Sequence, residues 1–169
     1  MILEVKRTYL EIKSIKDLKI VEKPNDNCSL VQVDPPDIQL NKFLYKHIGK
    51  KYRWIDRLHW DQKKWSDYLN KPNIKTFVLK EKENLIGFFE QIIENNYNFE
   101  IAYFGILEEY FGKKYGKYLL SEAIKNSFFQ NAQRVWVHTC SLDHKNALSN
   151  YQARGMKIFK SENIIINDN

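Results

Sequence analysis

The sequence has few of the features that mark secreted, membrane-spanning or disulfide-bonded proteins. It contains two cysteines in 169 residues, and Cys28 and Cys140 are too far apart for a metal or redox motif, so we expect free thiols. No apolar run approaches the roughly 20 residues that cross a bilayer. Residues 1–13 alternate charged and apolar side chains instead of forming a signal sequence. We therefore expect a soluble, cytoplasmic protein without a membrane partner.

Acidic residues are fewer than basic ones, which gives a formal net charge of +6. The lysines are spread along the chain and form no dense tail, so the charge indicates a solvated basic surface and no specific nucleic-acid partner. An acidic partner or an anionic cofactor remains compatible with this charge. With 43% hydrophobic residues, a chain of this length can bury a substantial core, and we expect one domain over residues 1–169.

Hydrophobic periodicity and turn residues predict strands and helices throughout this domain. We expect a helix N-cap at Asp143 and a helix stop at Gly155. The predicted strands are 5–12, 29–33, 76–80, 85–93, 99–107, 134–140 and 156–166, and the predicted helices are 38–47, 60–69, 115–130 and 143–154.

The stretch from Glu100 to Leu120 combines an apolar strand with a basic, glycine-bearing loop and the start of a helix. Gly112 and Gly116 lie in the loop, and the helix begins at about Tyr115. Free backbone N–H groups and the positive end of a helix dipole attract phosphate, so we expect a phosphate-bearing ligand here. Two glycines also mark ordinary turns, and the loop alone favours neither reading.

A second unusual segment, KYRWIDRLHW from Lys51 to Trp60, interleaves aromatic residues with charged ones. Such side chains either hold a planar or anionic ligand or pack helices in a small core, and the sequence leaves both alternatives open. A specificity pocket needs a few polar groups among apolar walls. The candidate substrate-binding residues are Trp54, Asp56, Arg57 and His59.

The run ILEEYFGKKYGKYLL, from Ile106 to Leu120, resembles the acetyl-CoA-binding segment of the GNAT superfamily of acyl-CoA-dependent N-acyltransferases. Both loop glycines and the two final leucines stand at family positions. Phe111 replaces the usual Arg or Gln, and Lys114 replaces the middle glycine, so the loop must turn with a side chain where the family has none.

A second segment, VHTCSLDHKNALSNYQARGM from Val137 to Met156, keeps several family residues in their order and spacing. These are Asn146, Ala147, Tyr151 and Gly155. The order of strands and helices along the whole chain also matches the family. More narrowly, the Asp-Pro-Pro segment, the Trp-rich stretch and the run EIAYFG resemble a bacterial subset of GNAT proteins.

The resemblance implies an α/β (α+β) fold with a single GNAT-like domain. Its mixed, mostly antiparallel central sheet would be flanked by helices, and a splayed strand pair would form the acyl-CoA cleft. Backbone groups of the splayed strand would hold the pantetheine arm, and the loop and its lysines would bind the pyrophosphate. The implied cofactor-binding residues are Phe104, Gly105, Ile106, Phe111, Gly112, Lys113, Lys114, Tyr115, Gly116, Lys117, Asn146 and Tyr151.

The activity implied by the resemblance is direct transfer of an acetyl group from acetyl-CoA to a primary amine. Tyr151 resembles the family's general acid, and Glu100, His138 and Glu90 are candidates for the base. The acceptor would be a small molecule or an aminoacyl amine, and no metal is implied. Dimers are common in the family, so a homodimer is compatible with the sequence.

Two alternatives to an enzyme remain open at this point. One is a non-catalytic acyl-CoA-binding or regulatory module that keeps the same cleft. The other is a nucleic-acid-binding domain that uses the basic surface and the aromatics between Tyr52 and Trp60.

Overall fold

The computed structural model describes residues 1–167, which form one seven-stranded sheet with four α-helices packed on its two faces. The strand order is β2-β3-β4-β5-β6-β1-β7. The bounds are β1 Ile2–Ile12, β2 Cys28–Gln32, α1 Ile38–Gly49, α2 Gln62–Leu69, β3 Ile74–Glu81, β4 Asn84–Glu94, β5 Asn98–Ile106, α3 Tyr115–Phe129, β6 Arg134–Cys140, α4 Ala147–Ala153 and β7 Lys157–Asn167.

All neighbouring strands pair antiparallel except β5 and β6, which pair parallel. The predicted mixed, mostly antiparallel sheet flanked by helices is therefore confirmed. The expected domain of residues 1–169 includes Asp168 and Asn169, which lie outside the described residues. No helix between residues 1 and 167 is long and apolar enough to span a membrane.

The N-terminal strand β1 lies between β6 and the edge strand β7, so the first and last strands of the described chain pair at one edge of the sheet. Tyr9 is paired with His138 on one side and with Lys160 on the other. Leu10 and Ile12 are buried toward the core under the sheet. The strand predicted from Val5 is present and begins earlier, at Ile2.

One face of the sheet is covered by α3 and α4. The predicted apolar stripe of α3 is correct, since Leu119, Leu120 and Ile124 are fully buried against this face. Each such side chain contributes about 1.5–3 kcal/mol relative to exposure. This helix fixes the position of the loop that precedes it.

The opposite face is covered only in part. Helices α1 and α2 pack on β3, β4 and β5 through clusters that include Leu44, Ile48 and Phe88, and Tyr45, Trp65 and Tyr103. Neither cluster includes a residue of β6, β1 or β7. Helices α1 and α2 therefore cover the half of this face formed by β3, β4 and β5, and neither cluster extends over the half formed by β6, β1 and β7. The boundary between the two halves lies at β5 and β6.

Helix α4 is shorter than the sequence predicts, and the N-cap prediction at Asp143 is wrong. The Asp143 carboxylate instead accepts hydrogen bonds from the Thr139 hydroxyl at 2.6 Å and the Cys140 backbone N–H at 3.0 Å. It closes the turn after β6, and α4 begins only at Ala147. The predicted stop is correct, because Gly155 has φ +102° and a Cβ there would lie 2.1 Å from the Asp17 carbonyl oxygen.

Candidate active site

The central feature is a cleft that opens where β5 and β6 separate. The two strands pair over three positions only, the last of which joins Glu100 to Trp136. Beyond that point β5 stays paired with β4 as far as Ile106, and β6 stays paired with β1 as far as Cys140. Each strand therefore has one unpaired edge along the cleft. Such edges offer backbone N–H and C=O groups to an extended ligand.

A β-bulge shapes the β5 side of the cleft. Tyr103 lies opposite Glu90, and Ile101 lies opposite Gln91, which leaves Ala102 without a partner. The extra residue reverses the alternation of side chains along the strand. As a result Tyr103 packs among the residues of α1 and α2, whereas Phe104 packs on the α3 side.

Tyr151 lies on the α3 and α4 side of the cleft. Its side chain is buried, and its ring centroid lies 6.4 Å from that of Phe104. Burial and the negative charge of Asp143 raise the pKa of the Tyr151 hydroxyl above its usual value, so the group is protonated at neutral pH. No residue between 1 and 167 hydrogen-bonds this hydroxyl, which leaves a donor available for a ligand in the cleft.

Glu100 and His138 lie on the other face of the sheet, where β5 and β6 last pair. Glu100 Oε1 is 3.9 Å from His138 Nε2, which is longer than a hydrogen bond. Burial and the negative charges of Glu94 and Glu90 raise the pKa of Glu100 to about 7. Burial and the positive charge of Arg7 lower the pKa of His138. Both groups can therefore accept a proton near pH 7.

Glu90 is held differently from the other two base candidates. Its carboxylate is 1% exposed and accepts hydrogen bonds from Arg57 Nη1 at 2.8 Å and Arg57 Nη2 at 2.9 Å. The Tyr68 hydroxyl also donates to Glu90 Oε1. Burial opposes the charge on Arg57, but the hydrogen bonds and charge of Glu90 outweigh it and raise the pKa of Arg57. This carboxylate is engaged by the protein itself, which leaves Glu100 and His138 as the accessible candidates.

The four candidate substrate-binding residues fall into two groups. Arg57 is buried, and Trp54 is half-buried with its ring 4.9 Å from that of Tyr103. Asp56 and His59 are exposed. The segment therefore packs on the sheet through the first pair and presents the second pair to solvent.

The loop before α3 has the geometry of an anion site. Gly112 has φ +75°, and Lys114 has φ +69° with ψ 5°, so the lysine adopts the left-handed conformation in the position where the family has glycine. No side chain caps α3, and its first N–H groups are therefore open to an anion. Lys113, Lys114 and Lys117 are exposed around them.

Two other loop residues contribute only through the backbone or by their small size. The Tyr115 side chain is buried in the core, so only its backbone reaches the loop. A Cβ on Gly116 would lie 3.8 Å from Ile106, which is ordinary contact, so sterics do not demand glycine there.

An aromatic contact joins the loops that follow the two diverging strands. The Phe111 ring lies edge-on to His144, with centroids 5.2 Å apart, and His144 lies 6.3 Å from Tyr52. Phe111 therefore takes part in a packing contact at the position where the family has Arg or Gln.

Asn146, which precedes α4, and Asn150 within α4 lie near this loop. Asn146 is exposed at the N-cap position, and its side chain caps nothing. Asn150 Nδ2 donates to the Gly116 carbonyl at 3.4 Å and ties α4 to the start of α3. Sequence reasoning missed Asn150, whose helical spacing from Asn146 was the available signal.

Comparisons with known proteins agree with this geometry. The model of the acetyltransferase (GNAT) family matches residues 41–156. A search of curated proteins finds no significant match.

Three solved structures illustrate the similarity of fold. An aminoglycoside acetyltransferase from an uncultured soil metagenomic sample is 14% identical with a TM-score of 0.66, covering 78% of this chain and 90% of that one. A GCN5-related N-acetyltransferase from Kribbella flavida is 14% identical with a TM-score of 0.68, covering 97% and 58%. A functionally unknown conserved protein from Staphylococcus epidermidis is 20% identical with a TM-score of 0.64, covering 98% and 61%.

At these identities the similarity shows the fold alone. The chain spans about six-tenths of the length of the last two structures. The family match covers more than half of the chain and includes the cleft strands, the glycine-bearing loop and Tyr151. The chain belongs to the acetyltransferase (GNAT) family.

Proposed function

We propose that this protein is an acetyl-CoA-dependent N-acetyltransferase that acts on a primary amine by direct transfer. One observation carries the proposal. The cleft between β5 and β6 passes through the sheet, with Tyr151 on one face and Glu100 on the other. A donor on the α3 side and an amine on the α1 side can therefore meet without a covalent enzyme intermediate.

The residues on the α3 side fit an acyl-CoA. The unpaired edge of Phe104, Gly105 and Ile106 would hydrogen-bond the pantetheine arm, with Asn146 contacting the same arm. The N–H groups of residues 111–116 would hold the pyrophosphate. Lys113, Lys114 and Lys117 would supply positive charge. When bound, this group supplies an acetyl thioester and a thiol leaving group.

The chemistry needs one proton removed and one supplied. Glu100 would accept the proton from the amine nitrogen as the nitrogen–carbon bond forms, and His138 is its nearest alternative. The carbon–sulfur bond breaks in the same transfer. The Tyr151 hydroxyl would donate a hydrogen bond to the departing sulfur and pass on its proton, which solvent replaces.

The acceptor is proposed to enter beside the segment between α1 and α2. Asp56 and His59 are exposed there and would contact it, while Arg57 and Trp54 would hold the segment in place. The fold is shared with an aminoglycoside acetyltransferase, which supports an amine-bearing acceptor of modest size. We further propose that residues 1–169 act as one domain in the cytoplasm.

A thermal-shift measurement followed by a thiol-release assay tests this proposal. Acetyl-CoA at 100 times its dissociation constant should add about 2.7 kcal/mol to the unfolding free energy. A broad panel of primary amines should then release free thiol. A shift without thiol release would support the alternative of a non-catalytic acyl-CoA-binding module. No shift at all would overturn both.

A further inference from the structure

The half of the sheet face that α1 and α2 leave uncovered carries a row of aromatic rings. Tyr9 is at its centre, with ring centroids 6.3 Å from Trp136, 5.7 Å from His138 and 6.0 Å from Phe159. We call these four residues the aromatic strip. All four are partly exposed or exposed.

The strand alternation explains why the four rings share one face. Leu10, Val135 and Val137 lie next to them in sequence and are buried in the core under α3. Successive side chains of a strand point to opposite faces, so Tyr9, Trp136 and His138 face away from that core. Tyr9, Trp136 and His138 are half-buried and Phe159 is exposed, so the four rings form part of the accessible surface of this face.

The strip starts at the proposed base. Trp136 is the register partner of Glu100 in the last pair before the cleft opens, and His138 Nε2 lies 3.9 Å from Glu100 Oε1. A molecule that rests on the strip can therefore present a group to Glu100. Neither Asp56 nor His59 belongs to this surface, so the strip is an alternative to the acceptor placement beside that pair.

Two of the four rings are held by hydrogen bonds at their polar edges. Trp136 Nε1 donates to Glu94 at 3.0 Å, and the Tyr9 hydroxyl donates to Glu162 at 2.6 Å. Rings fixed in this way lose little conformational freedom on binding. They form a rigid platform for stacking.

Charged side chains show what these ring faces attract. Lys160 Nζ lies 4.9 Å from the Tyr9 centroid, and Arg134 Cζ lies 4.7 Å from that of Phe159. Lys160 is ion-paired with Glu162 at 3.3 Å and Arg134 with Glu11, and Arg134 Cζ also lies 5.9 Å from the Trp136 centroid. The faces are therefore suited to planar or cationic groups.

We propose that the acceptor is a primary amine carried on an aromatic ring, with the ring stacked on the aromatic strip and the amine at Glu100. This inference rests on the proposed function and specifies its substrate class. Trp136 and Phe159 are then acceptor-binding residues that determine specificity.

A comparison of two amines tests this inference. We would measure kcat/KM for 2-phenylethylamine and for 2-cyclohexylethylamine, which match in carbon number and differ in the aromatic ring. Stacking should favour the phenyl compound about fivefold. Trp136→Leu and Phe159→Leu should each reduce that preference toward unity. The matched control is Phe129→Leu, a 70% exposed ring at the end of α3, which should keep the preference.

A binding measurement on Tyr151→Phe protein separates this inference from the proposed function. The four indole N–H signals are assigned by NMR with the Trp136→Leu variant, and 2-phenylethylamine should shift the Trp136 signal selectively. Suppose that the two amines have equal kcat/KM and that 2-phenylethylamine does not shift the Trp136 signal. This result would overturn the role of the strip in acceptor binding and would leave the proposed acetyl transfer intact. A shift without acetyl transfer to any amine would overturn the acceptor role and the proposed function together, and leave only a ring-binding surface.

Discussion

The guanidinium of Arg57 makes two parallel hydrogen bonds to the carboxylate of Glu90, at 2.8 Å and 2.9 Å. Five aromatic rings surround the guanidinium within 6 Å: those of Tyr45, Trp60, Trp65, Tyr68 and Tyr103. The pair fastens the segment between α1 and α2 to β4. That segment forms the wall beside Glu100.

Breaking this pair should destabilise the protein more than removing both charges. Glu90→Gln leaves a buried guanidinium without its partner, and such a loss costs about 3–5 kcal/mol. The double variant Arg57→Met, Glu90→Leu should cost clearly less, because no charge remains buried. Urea unfolding of the three proteins measures this. A double variant that costs as much as Glu90→Gln alone, or more, would contradict the coupling.

Activity should depend on the ionisation of Glu100. Its pKa of about 7 means that kcat/KM should fall as pH decreases through 7, since the protonated carboxyl cannot accept a proton from the amine. In Glu100→Gln this limb should disappear, and activity should drop about 100-fold at pH 8.

Glu90→Gln provides a control on the cause of that raised pKa. It removes a negative charge that raises the pKa of Glu100 and leaves the Arg57 cation, which lowers it. The acid limb should therefore move to lower pH. If the acid limb keeps its position in both Glu100→Gln and Glu90→Gln, its ionisation belongs to the amine substrate or to His138.

Tyr151→Phe should lower turnover without weakening cofactor binding. The substitution removes only the hydroxyl, and the ring keeps its contact with Phe104. We expect kcat to fall about 100-fold, as for loss of a general acid. The dissociation constant of CoA, measured by calorimetry, should stay within twofold. Unchanged turnover would discard the acid assignment.

Lys114→Gly should separate the stability cost of the backbone conformation of Lys114 from the contribution of its charge to cofactor binding. Lys114 has φ +69°, and glycine there should raise the stability of the free protein by up to about 1 kcal/mol. It should also weaken acetyl-CoA binding several-fold, because a lysine beside the pyrophosphate is lost.

Lys82→Gly is the matched control for this loop. Lys82 has φ +53° in the turn between β3 and β4, far in sequence from the loop. This variant should gain similar stability and bind acetyl-CoA normally. Equal acetyl-CoA affinities of the wild type, Lys114→Gly and Lys82→Gly would show that the Lys114 side chain does not contribute to cofactor binding.

Much of the fold could be predicted because its signals are local. The stripe of Leu119, Leu120 and Ile124 predicts α3, and β6 has its predicted bounds, since its buried positions alternate with a period of two. The left-handed backbone of Lys114 was expected from the family resemblance, because the family has glycine at this position. These features depend on residues within one element.

The features that sequence reasoning missed depend on contacts between distant residues. The bulge at Ala102 exists only in relation to its partner strand, and it places Tyr103 on a face that simple alternation would not predict. The insertion of β1 between β6 and β7 likewise needs both ends of the chain.

Polar residues were harder to assign than apolar ones for the same reason. Asp143 precedes a helix and satisfies the N-cap pattern, yet it bonds back to Thr139 and Cys140 in the turn after β6. Arg57 was a candidate as a polar group among aromatic residues, and Glu90 was a candidate as a carboxylate on a central strand. Their mutual hydrogen bonds lie across 33 positions of sequence.

The most direct test of the central claim is mass spectrometry of the protein and its products after incubation with acetyl-CoA carrying a ¹³C-labelled acetyl group. With a primary amine present, we predict N-acetylated amine carrying the label, free CoA in equal amount, and little product from Glu100→Gln or Tyr151→Phe. Without the amine, the intact protein should carry no acetyl group, since transfer is direct. A labelled acetyl adduct on Cys28 or Cys140 that chases to the amine, or the absence of labelled amide with every amine, would contradict the account.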